Sequence, residues 1–487
     1  GEWHLERIDG TEWDETRLRK RVAGLVVQPF SLDEGPLFRA AVIQRAEQEY
    51  LLVVVLHHII TDGWSNGILV RQLAANYVQL MSGQSVPTVP AGLQYADFAA
   101  WQHDYLQQTM DVKIQFWREA LQDIPALELP LDYPRPASQT FNGGSISFSL
   151  SVEATRNLNN LAGRFQATPF MVLMASYAAL LQRYSGQDAF AIGSPVAGRD
   201  RPELEDIVGF FVNTVAVPVA PEPGQPFTRL LEQIKENSLN CFEHQDVPFE
   251  QIVEELNPVR DMSRSPVFQV MLAYQNLPLG DGGVGAQELG DLSLEPYELE
   301  LESAKFEQTI TVWPEGDRLG GALTYNTDLF KRATAQQFVE HFLRFCEQAF
   351  AQPEQPLHRI EVLSEEQIQQ QLVVWNQTQH DYRPDRIEHL LAAQIEKTPE
   401  EIAVTQGPLT LNYRELGKAS DAIANAFIES GVEHGDFVGI VLDRNLHLMS
   451  AILGILKAGA VYVPIDASYP ADRIQYICQQ SGIRTLI

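Results

Sequence analysis

Tyr50–Ser65 reads YLLVVVLHHIITDGWS and decides how the surrounding chain is interpreted. Its apolar run Leu51–Leu56 is too short to span a membrane and has the length and β-branched content of a fully buried strand. The next apolar residues recur at helical spacing, at Leu69, Leu73, Tyr77 and Leu80. The stretch therefore predicts a strand, a loop and a helix, with two histidines and an Asp-Gly pair on the loop.

The four polar positions of this loop are His57, His58, Asp62 and Gly63. Neighbouring residues at a strand end point in opposite directions, so one histidine is expected to face a cavity and the other the core. A neutral imidazole in an apolar site is a natural general base near neutral pH. Asp62 is expected to brace the loop, and Gly63 to let the backbone turn or a substrate approach. The alternative is a pair of core histidines capped by a turn.

The string HHIITDG resembles the HHxxxDG signature of the condensation domains of nonribosomal peptide synthetases, which are similar in fold to chloramphenicol acetyltransferase. Other stretches resemble motifs of the same family, and they follow one another in the family's order: YADFAAWQ, IGSPVAGRDRPELEDIVGFFVNT, EHQDVPFE and RDMSRSPVFQV. In YADFAAWQ and the residues after it, Phe98, Trp101 and Tyr105 share one helical face, which predicts core packing. The Gly-rich turn of the second stretch is expected to project Arg199 into a cleft.

The resemblance implies an α/β fold with a two-lobed, chloramphenicol-acetyltransferase-like condensation domain, whose first lobe is truncated at its N-terminus. We expect that lobe in residues 1–105, the second lobe in 106–350 and an interdomain linker in 351–385. Residues 386–487 contain LNYREL and LKAGAVYVPIDASYP, which resemble the opening motifs of AMP-forming adenylation domains. The phosphate-binding loop and catalytic lysine of that family would follow Ile487. The chain is thus interpreted as part of a longer protein and is expected to be poorly active by itself.

The family joins an upstream aminoacyl or peptidyl thioester to the amine of a downstream aminoacyl thioester, each carried on the phosphopantetheine arm of a carrier domain. By resemblance, His58 would be the base or positioning group for the amine, and His57 would be structural. Asp62 would hold the loop through a buried ion pair with Arg199 of the other lobe. Gly63 would place its backbone N–H near the reacting thioester.

Three alternatives remain open beside condensation. An epimerising relative keeps HHxxxDG, although an adenylation domain after the linker favours condensation. A non-catalytic docking module for carrier proteins is expected to have a decayed motif, which this chain does not. A free-standing acyltransferase on coenzyme A thioesters does not explain the adenylation-like residues. Within the condensation family, Trp64-Ser65, YADFAAWQ and VGFFVNT resemble the subtype that accepts an L-configured donor.

Composition limits the partners and cofactors. The 487 residues carry 35 Lys and Arg against 64 Asp and Glu, a formal charge of −29. Nucleic acid and anionic membranes attract clustered basic residues, so neither is expected as a partner. We expect carrier domains and the rest of a synthetase as partners and a cytoplasmic location. No bound cofactor is expected here, whereas ATP and Mg²⁺ would serve a complete adenylation domain.

Two further patterns predict no additional site. The three cysteines are odd in number and far apart, which predicts neither disulfides nor a zinc site. NGGSIS at 142–147 is similar to the GGxS site where a carrier domain holds its phosphopantetheine, but Ile146 stands at the serine position. Its context also predicts a strand rather than the start of a helix.

Overall fold

The structure, a computed structural model, describes residues 4–86, 92–256, 261–275, 287–289, 292–295, 297, 303–382 and 384–487. It divides into two units, Gly1–Gln369 and Gln370–Ile487. The division falls within residues 351–385, where the linker is predicted. The exact domain boundaries stay predictions. A Gly-rich acidic loop predicted over Leu279–Asp291 lies outside the described residues, apart from a short strand at Gln287–Leu289.

The first lobe is built on a small sheet covered by a helix on one face. Strands β1, β2 and β3 lie in that order, β1 and β2 parallel and β2 and β3 antiparallel. Helix α1 packs on one face, and helices α2 and α3 follow the sheet in the chain. Their bounds are β1 Leu5–Asp9, α1 Glu15–Val27, β2 Phe38–Ala46, β3 Glu49–Leu56, α2 Gly63–Met81 and α3 Tyr95–Leu121.

The prediction that the apolar strand is buried on both faces is wrong. Side chains alternate along β3, so that Val53 is only 8% exposed beside α1 while Leu52 and Val54 are each 42% exposed. The strand is apolar on both faces, but among the described residues α1 packs only on the face that carries Val53. Helix α3 is continuous across the predicted lobe boundary between residues 105 and 106.

The second lobe holds the largest hydrophobic core. Its six strands follow the order β4, β11, β10, β7, β5, β6, and helices α4, α5, α6 and α8 enclose the core. The bounds are β4 Gly143–Ser149, α4 Val152–Phe165, α5 Pro169–Ser185, β5 Phe190–Val196, β6 Asn213–Val219, α6 Phe227–Glu243, α7 Phe249–Leu256, β7 Val270–Tyr274, β8 Gln287–Leu289, β9 Leu292–Leu294, β10 Gln308–Glu315, β11 Arg318–Asn326 and α8 Arg332–Ala351.

Local signals place several of these elements correctly. Helix α5 begins at Pro169, its cap Thr168 accepts a hydrogen bond from the backbone of Met171, and it ends at Gly186 in the left-handed region. Most of NGGSIS forms strand β4, as expected, and not the start of a helix. Cys241 and Cys346 are buried thiols, and burial raises the pKa of Cys241 to about 12. The strand formed by NGGSIS and the two buried thiols are consistent with structural roles and not with chemical ones.

A small aromatic cluster lies between the lobes. Phe98 and Tyr95 of α3 pack on Phe211 and its neighbours rather than on the main core. Trp101 stays 38% exposed and stacks on Tyr105. The prediction of core packing for this face of α3 is therefore wrong for Trp101, because the face extends past the edge of the cluster.

The second unit has its own α/β core, as the sequence predicts. Three parallel strands lie in the order β15, β14, β16, and a two-stranded sheet pairs β12 with β13. Within the described residues, no helix of the protein is long and apolar enough to cross a bilayer. The bounds of the remaining elements are α9 Glu365–Gln369, α10 Ile387–Lys397, β12 Ile402–Gln406, β13 Leu409–Asn412, α11 Tyr413–Glu429, β14 Phe437–Ile440, α12 Leu448–Lys457, β15 Val461–Pro464, α13 Ala471–Ser481 and β16 Thr485–Leu486.

Candidate active site

The site is organised around the first turn of α2. Asp62 is the N-cap residue, and its Oδ1 accepts a 2.8 Å hydrogen bond from the backbone N–H of Ser65. Gly63 is therefore the first residue of the helix and not part of a loop, which corrects the prediction. Its φ is not positive, so it does not serve the turn for which glycine was expected. Apart from its chain neighbours and its own helix backbone, no atom of the described residues would lie within 4 Å of a Cβ at Gly63, so there is open space beside it.

Arg199 joins the two lobes through a buried ion pair. Its Nη1 donates to Asp62 Oδ2 at 2.7 Å, and the two side chains are 1% and 3% exposed. Its Nη2 donates to Ser65 Oγ at 2.9 Å and to the carbonyl of Ile207 at 3.1 Å. The guanidinium lies 4.1 Å from the ring centre of Phe211. The buried ion pair with Asp62 that the family resemblance implied is therefore present. The expectation from the Gly-rich turn, that Arg199 would project into a cleft, is wrong because protein encloses its side chain.

The environment of Asp62 keeps its carboxylate ionised. Burial raises the pKa of Asp62, but hydrogen bonds from Arg199 and Ser65, with the nearby guanidinium charge, outweigh it and the pKa is lowered. The same Oδ2 also accepts a 3.0 Å hydrogen bond from the backbone N–H of Phe211. A charged Asp62 therefore holds both α2 and a segment of the other lobe.

Acid is expected to destabilise the first unit through this carboxylate. Because the folded pKa of Asp62 is lower than its ordinary value of 3.8, its stabilisation is present above that value and is lost as pH falls through the folded pKa. In Asp62→Asn, the free energy of unfolding should depend less steeply on pH below about pH 4. Urea denaturation at several pH values between about 5 and 2 measures this slope. Equal slopes for wild type and variant would refute it.

Three side chains of the first lobe form hydrogen bonds with the backbone of the segment Gly209–Phe211. Ser65, fully buried, donates from Oγ to the carbonyl of Gly209 at 2.9 Å and accepts from its N–H at 3.1 Å. The Tyr95 hydroxyl donates to the carbonyl of Phe210 at 2.7 Å. Together with the Asp62 contact to Phe211, every residue of the segment is bonded through its backbone. The contact between the lobes is therefore fixed by hydrogen bonds to the backbone of this segment as well as by the ion pair.

Gly209 is required by the close approach of an aromatic ring. An alanine Cβ there would lie 2.2 Å from Cδ2 of Tyr95, so the ring would have to move and its hydroxyl would lose Phe210. We expect Gly209→Ala to lower the free energy of unfolding by roughly 1–3 kcal/mol in urea denaturation. Gly163→Ala in helix α4 is the control, because nothing lies within 4 Å of its Cβ and the change favours a helix. Equal stability of both variants would contradict the prediction.

The two histidines differ in their surroundings. The ring of His57 accepts a 3.1 Å hydrogen bond at Nδ1 from the N–H of Ile59 and lies edge-on to Phe30 at 6.0 Å. His58 is exposed, and its ring lies edge-on to Phe210 with centres 5.2 Å apart and planes at 90°. Neither histidine faces the core, which corrects the expectation that one of them would, because His57 already belongs to the cap of a short 3-10 helix at His58–Ile60.

Two models of known protein families match this chain. Residues 2–372 match the family model of the condensation domain, and residues 391–487 match that of the AMP-binding enzymes. The chain belongs to the condensation-domain family of nonribosomal peptide synthetases. In this condensation domain, the HHxxxDG string is the segment that runs from His57 to the first residue of α2.

Relatives and solved structures extend the similarity over nearly the whole chain. Gramicidin S synthase 2 of Aneurinibacillus migulanus is 37% identical over 95% of this chain and 10% of its own length. Malpibaldin synthetase of Mortierella alpina is 36% identical over 99% of this chain and 9% of its own length. The chain thus spans about a tenth of these relatives. A four-domain nonribosomal peptide synthetase bound to AMP and glycine is 29% identical, with a TM-score of 0.86 over 100% of this chain and 37% of that one.

The condensation domain brings together four of the five predicted site residues. Asp62, Gly63 and Arg199 meet at the start of α2, and His58 lies on the short 3-10 helix just before it. His57 belongs to the same segment, but its ring contacts Phe30, which also lies in the first lobe. The catalytic roles of all five stay predictions.

Several residues of the site had no role in the sequence analysis. They are the ones that bond or cover the segment from the other lobe: Ser65, Tyr95, Gly209, Phe210 and Phe211. Their motifs, YADFAAWQ and VGFFVNT, were recognised as marks of the family and subtype. The sequence therefore contained both motifs, but it did not indicate that they meet at HHIITDG.

Proposed function

We propose that this condensation domain forms an amide bond between two carrier-bound thioesters. The amine of the downstream aminoacyl group attacks the thioester carbonyl of the upstream aminoacyl or peptidyl group. A C–N bond forms, the C–S bond breaks, and the amine proton passes to the departing phosphopantetheine thiolate. The lengthened peptide then remains on the downstream carrier.

The observation that carries this proposal is an exposed imidazole on a rigid support. His58 is exposed, while the ion pair a few residues away is almost completely buried and fixes the start of α2. An imidazole at this place takes the proton of the attacking amine or orients that amine. Holding two tethered substrates together supplies a large part of the rate in either case.

Gly63 offers the complementary group for the thioester oxygen. It is exposed at the positive end of a 19-residue helix, and among the described residues no acceptor is found for its backbone N–H. A backbone N–H in the first turn of a helix stabilises negative charge that develops on a carbonyl oxygen. The proposal therefore assigns proton handling to His58 and oxyanion stabilisation to Gly63.

The partners and cofactors follow from the reaction. The partners are an upstream and a downstream carrier domain and the rest of the synthetase, and the protein would act in the cytoplasm. Phosphopantetheine enters as the arm of each substrate. ATP and Mg²⁺ would serve a complete adenylation domain, but in the described part of the chain no group of three His, Cys, Asp or Glu side chains is placed to hold a metal. No step of the condensation runs through either of them.

The test is dipeptide formation on carriers. One carrier protein is loaded with an aminoacyl donor and a second with an aminoacyl acceptor, over a panel of amino acids, and the carrier-bound product is followed by mass spectrometry. The proposal expects a dipeptide on the acceptor carrier and free thiol on the donor carrier. Because the chain spans about a tenth of its relatives and is expected to be poorly active by itself, the assay is run on the synthetase that contains it. If that synthetase is folded and binds both carriers, yet forms no dipeptide with any pair, the proposal is refuted.

A second candidate is recruitment without catalysis. The X-domain from teicoplanin biosynthesis is 27% identical, with a TM-score of 0.68 over 74% of this chain and 81% of that one, and its complex with OxyB has been solved. A fold of this family therefore serves in a complex with another protein. This candidate would be favoured if the protein binds the carrier proteins but forms no dipeptide in the assay above.

A further inference from the structure

We propose that Phe210 is the positioning residue for His58, and that the lobe-to-lobe hydrogen bonds serve to hold Phe210 in place. The inference rests on the proposed function, because it explains how the imidazole is aimed at the amine. It differs from that function in naming a residue of the opposite lobe. The ion pair between Asp62 and Arg199 then acts on the reaction indirectly, by fixing the segment that carries Phe210.

The first argument is what touches the His58 ring. A catalytic imidazole is ordinarily held by a hydrogen bond from its second nitrogen to a carboxylate or carbonyl. Within the described parts of the chain, no hydrogen bond reaches either ring nitrogen of His58. Its ring contact is Phe210, edge-on, with centres 5.2 Å apart and planes at 90°. An aromatic edge-to-face contact of this kind prefers one relative orientation of the rings.

The second argument is how firmly Phe210 is placed. Its own carbonyl accepts from the Tyr95 hydroxyl at 2.7 Å, and the residues on either side of it are bonded to Ser65 and Asp62. Three consecutive residues are thus anchored to helices of the first lobe. A side chain on such a backbone has little freedom except rotation about its own bonds. The opposite lobe therefore presents Phe210 to the imidazole from a fixed backbone position.

The third argument is the exposure of the Phe210 ring. Phe211 is buried, 5% exposed, in the cluster between the lobes, and so accounts for the packing of the segment. Phe210 remains 37% exposed and does not belong to that cluster. The burial of this segment is therefore supplied by Phe211, while the partly exposed ring of Phe210 contacts His58.

Two variants at position 210 test the proposal. Phe210→Leu keeps an apolar side chain but removes the ring, and Phe210→Tyr keeps the ring. In dipeptide formation, we expect Phe210→Leu to lower kcat by about 10- to 100-fold with little change in KM, because misplacement of a reacting group acts on the chemical step. We expect Phe210→Tyr to retain most of the activity. Equal activity of Phe210→Leu and wild type, or equal losses in both variants, would overturn the proposal.

A spectroscopic readout separates this proposal from the proposed function. The 487-residue chain is prepared with ¹³C-labelled histidine rings, and the His58 signal is assigned by its loss in His58→Ala. The signal should move in Phe210→Leu and stay near its wild-type position in Phe30→Leu, which removes the aromatic neighbour of His57 instead. An unmoved signal in Phe210→Leu would overturn the positioning role even in an active enzyme. A moved signal, together with no dipeptide formed by the synthetase that contains this chain, would support the contact and refute the function.

Discussion

Replacing His58 with alanine is expected to lower the rate of dipeptide formation by about two to four orders of magnitude, the range that a positioned general base contributes. His58 is exposed, and its ring contacts the ring of Phe210 at 90°, so the loss of the side chain leaves the buried ion pair intact. The free energy of unfolding should therefore change little. Dipeptide formation and urea denaturation, measured on the same preparation, check both halves of the prediction.

The control for this variant is an alanine substitution at another exposed histidine. His103 lies on helix α3 and contacts Gln107 four residues along the same helix, so His103→Ala should leave the rate unchanged. Added imidazole should restore part of the activity of His58→Ala if the ring moves a proton, and none if it only orients the amine. A His58→Ala variant that is folded and as active as wild type would remove His58 from the mechanism.

What could be predicted from sequence is largely local. The cap of α5 depends on Thr168, Pro169 and Gly186, which are all within or next to one helix. The strand and helix around HHIITDG follow in the same way from apolar spacing. These predictions succeed because neighbouring residues alone determine the hydrogen bonds concerned.

What could not be predicted depends on the meeting of distant segments. Nothing near Gly209 in the sequence indicates that the ring of Tyr95 lies against it, because the hydroxyl of that ring bonds a residue 115 positions away. The hydrogen bond from Arg199 to Ser65 has the same origin, since it forms only when the two lobes come together. The half-exposed strand β3 was missed because an apolar sequence does not say on which faces other elements pack.

Arg199→Ala is expected to lower the free energy of unfolding of the first unit by about 3–5 kcal/mol, the cost of leaving one partner of a buried ion pair without the other. The substitution leaves Asp62 buried and charged without its guanidinium partner, and it removes the bonds of Arg199 to Ser65 and to the carbonyl of Ile207. Urea denaturation followed by a signal from the first unit measures the loss. A loss below about 1 kcal/mol would contradict a buried pair.

Two controls show whether burial is the cause. Arg19→Ala breaks an ion pair with Glu15 whose side chains are 52% and 46% exposed, and solvent screens such a pair, so no measurable change is expected. The double variant Asp62→Asn with Arg199→Met removes both charges and leaves an amide able to cap α2. It should be less destabilised than the sum of its two single variants, because no lone charge remains buried. Additive losses would instead mean that Asp62 and Arg199 stabilise the lobes independently, and the ion pair would then not be what joins the lobes beneath His58.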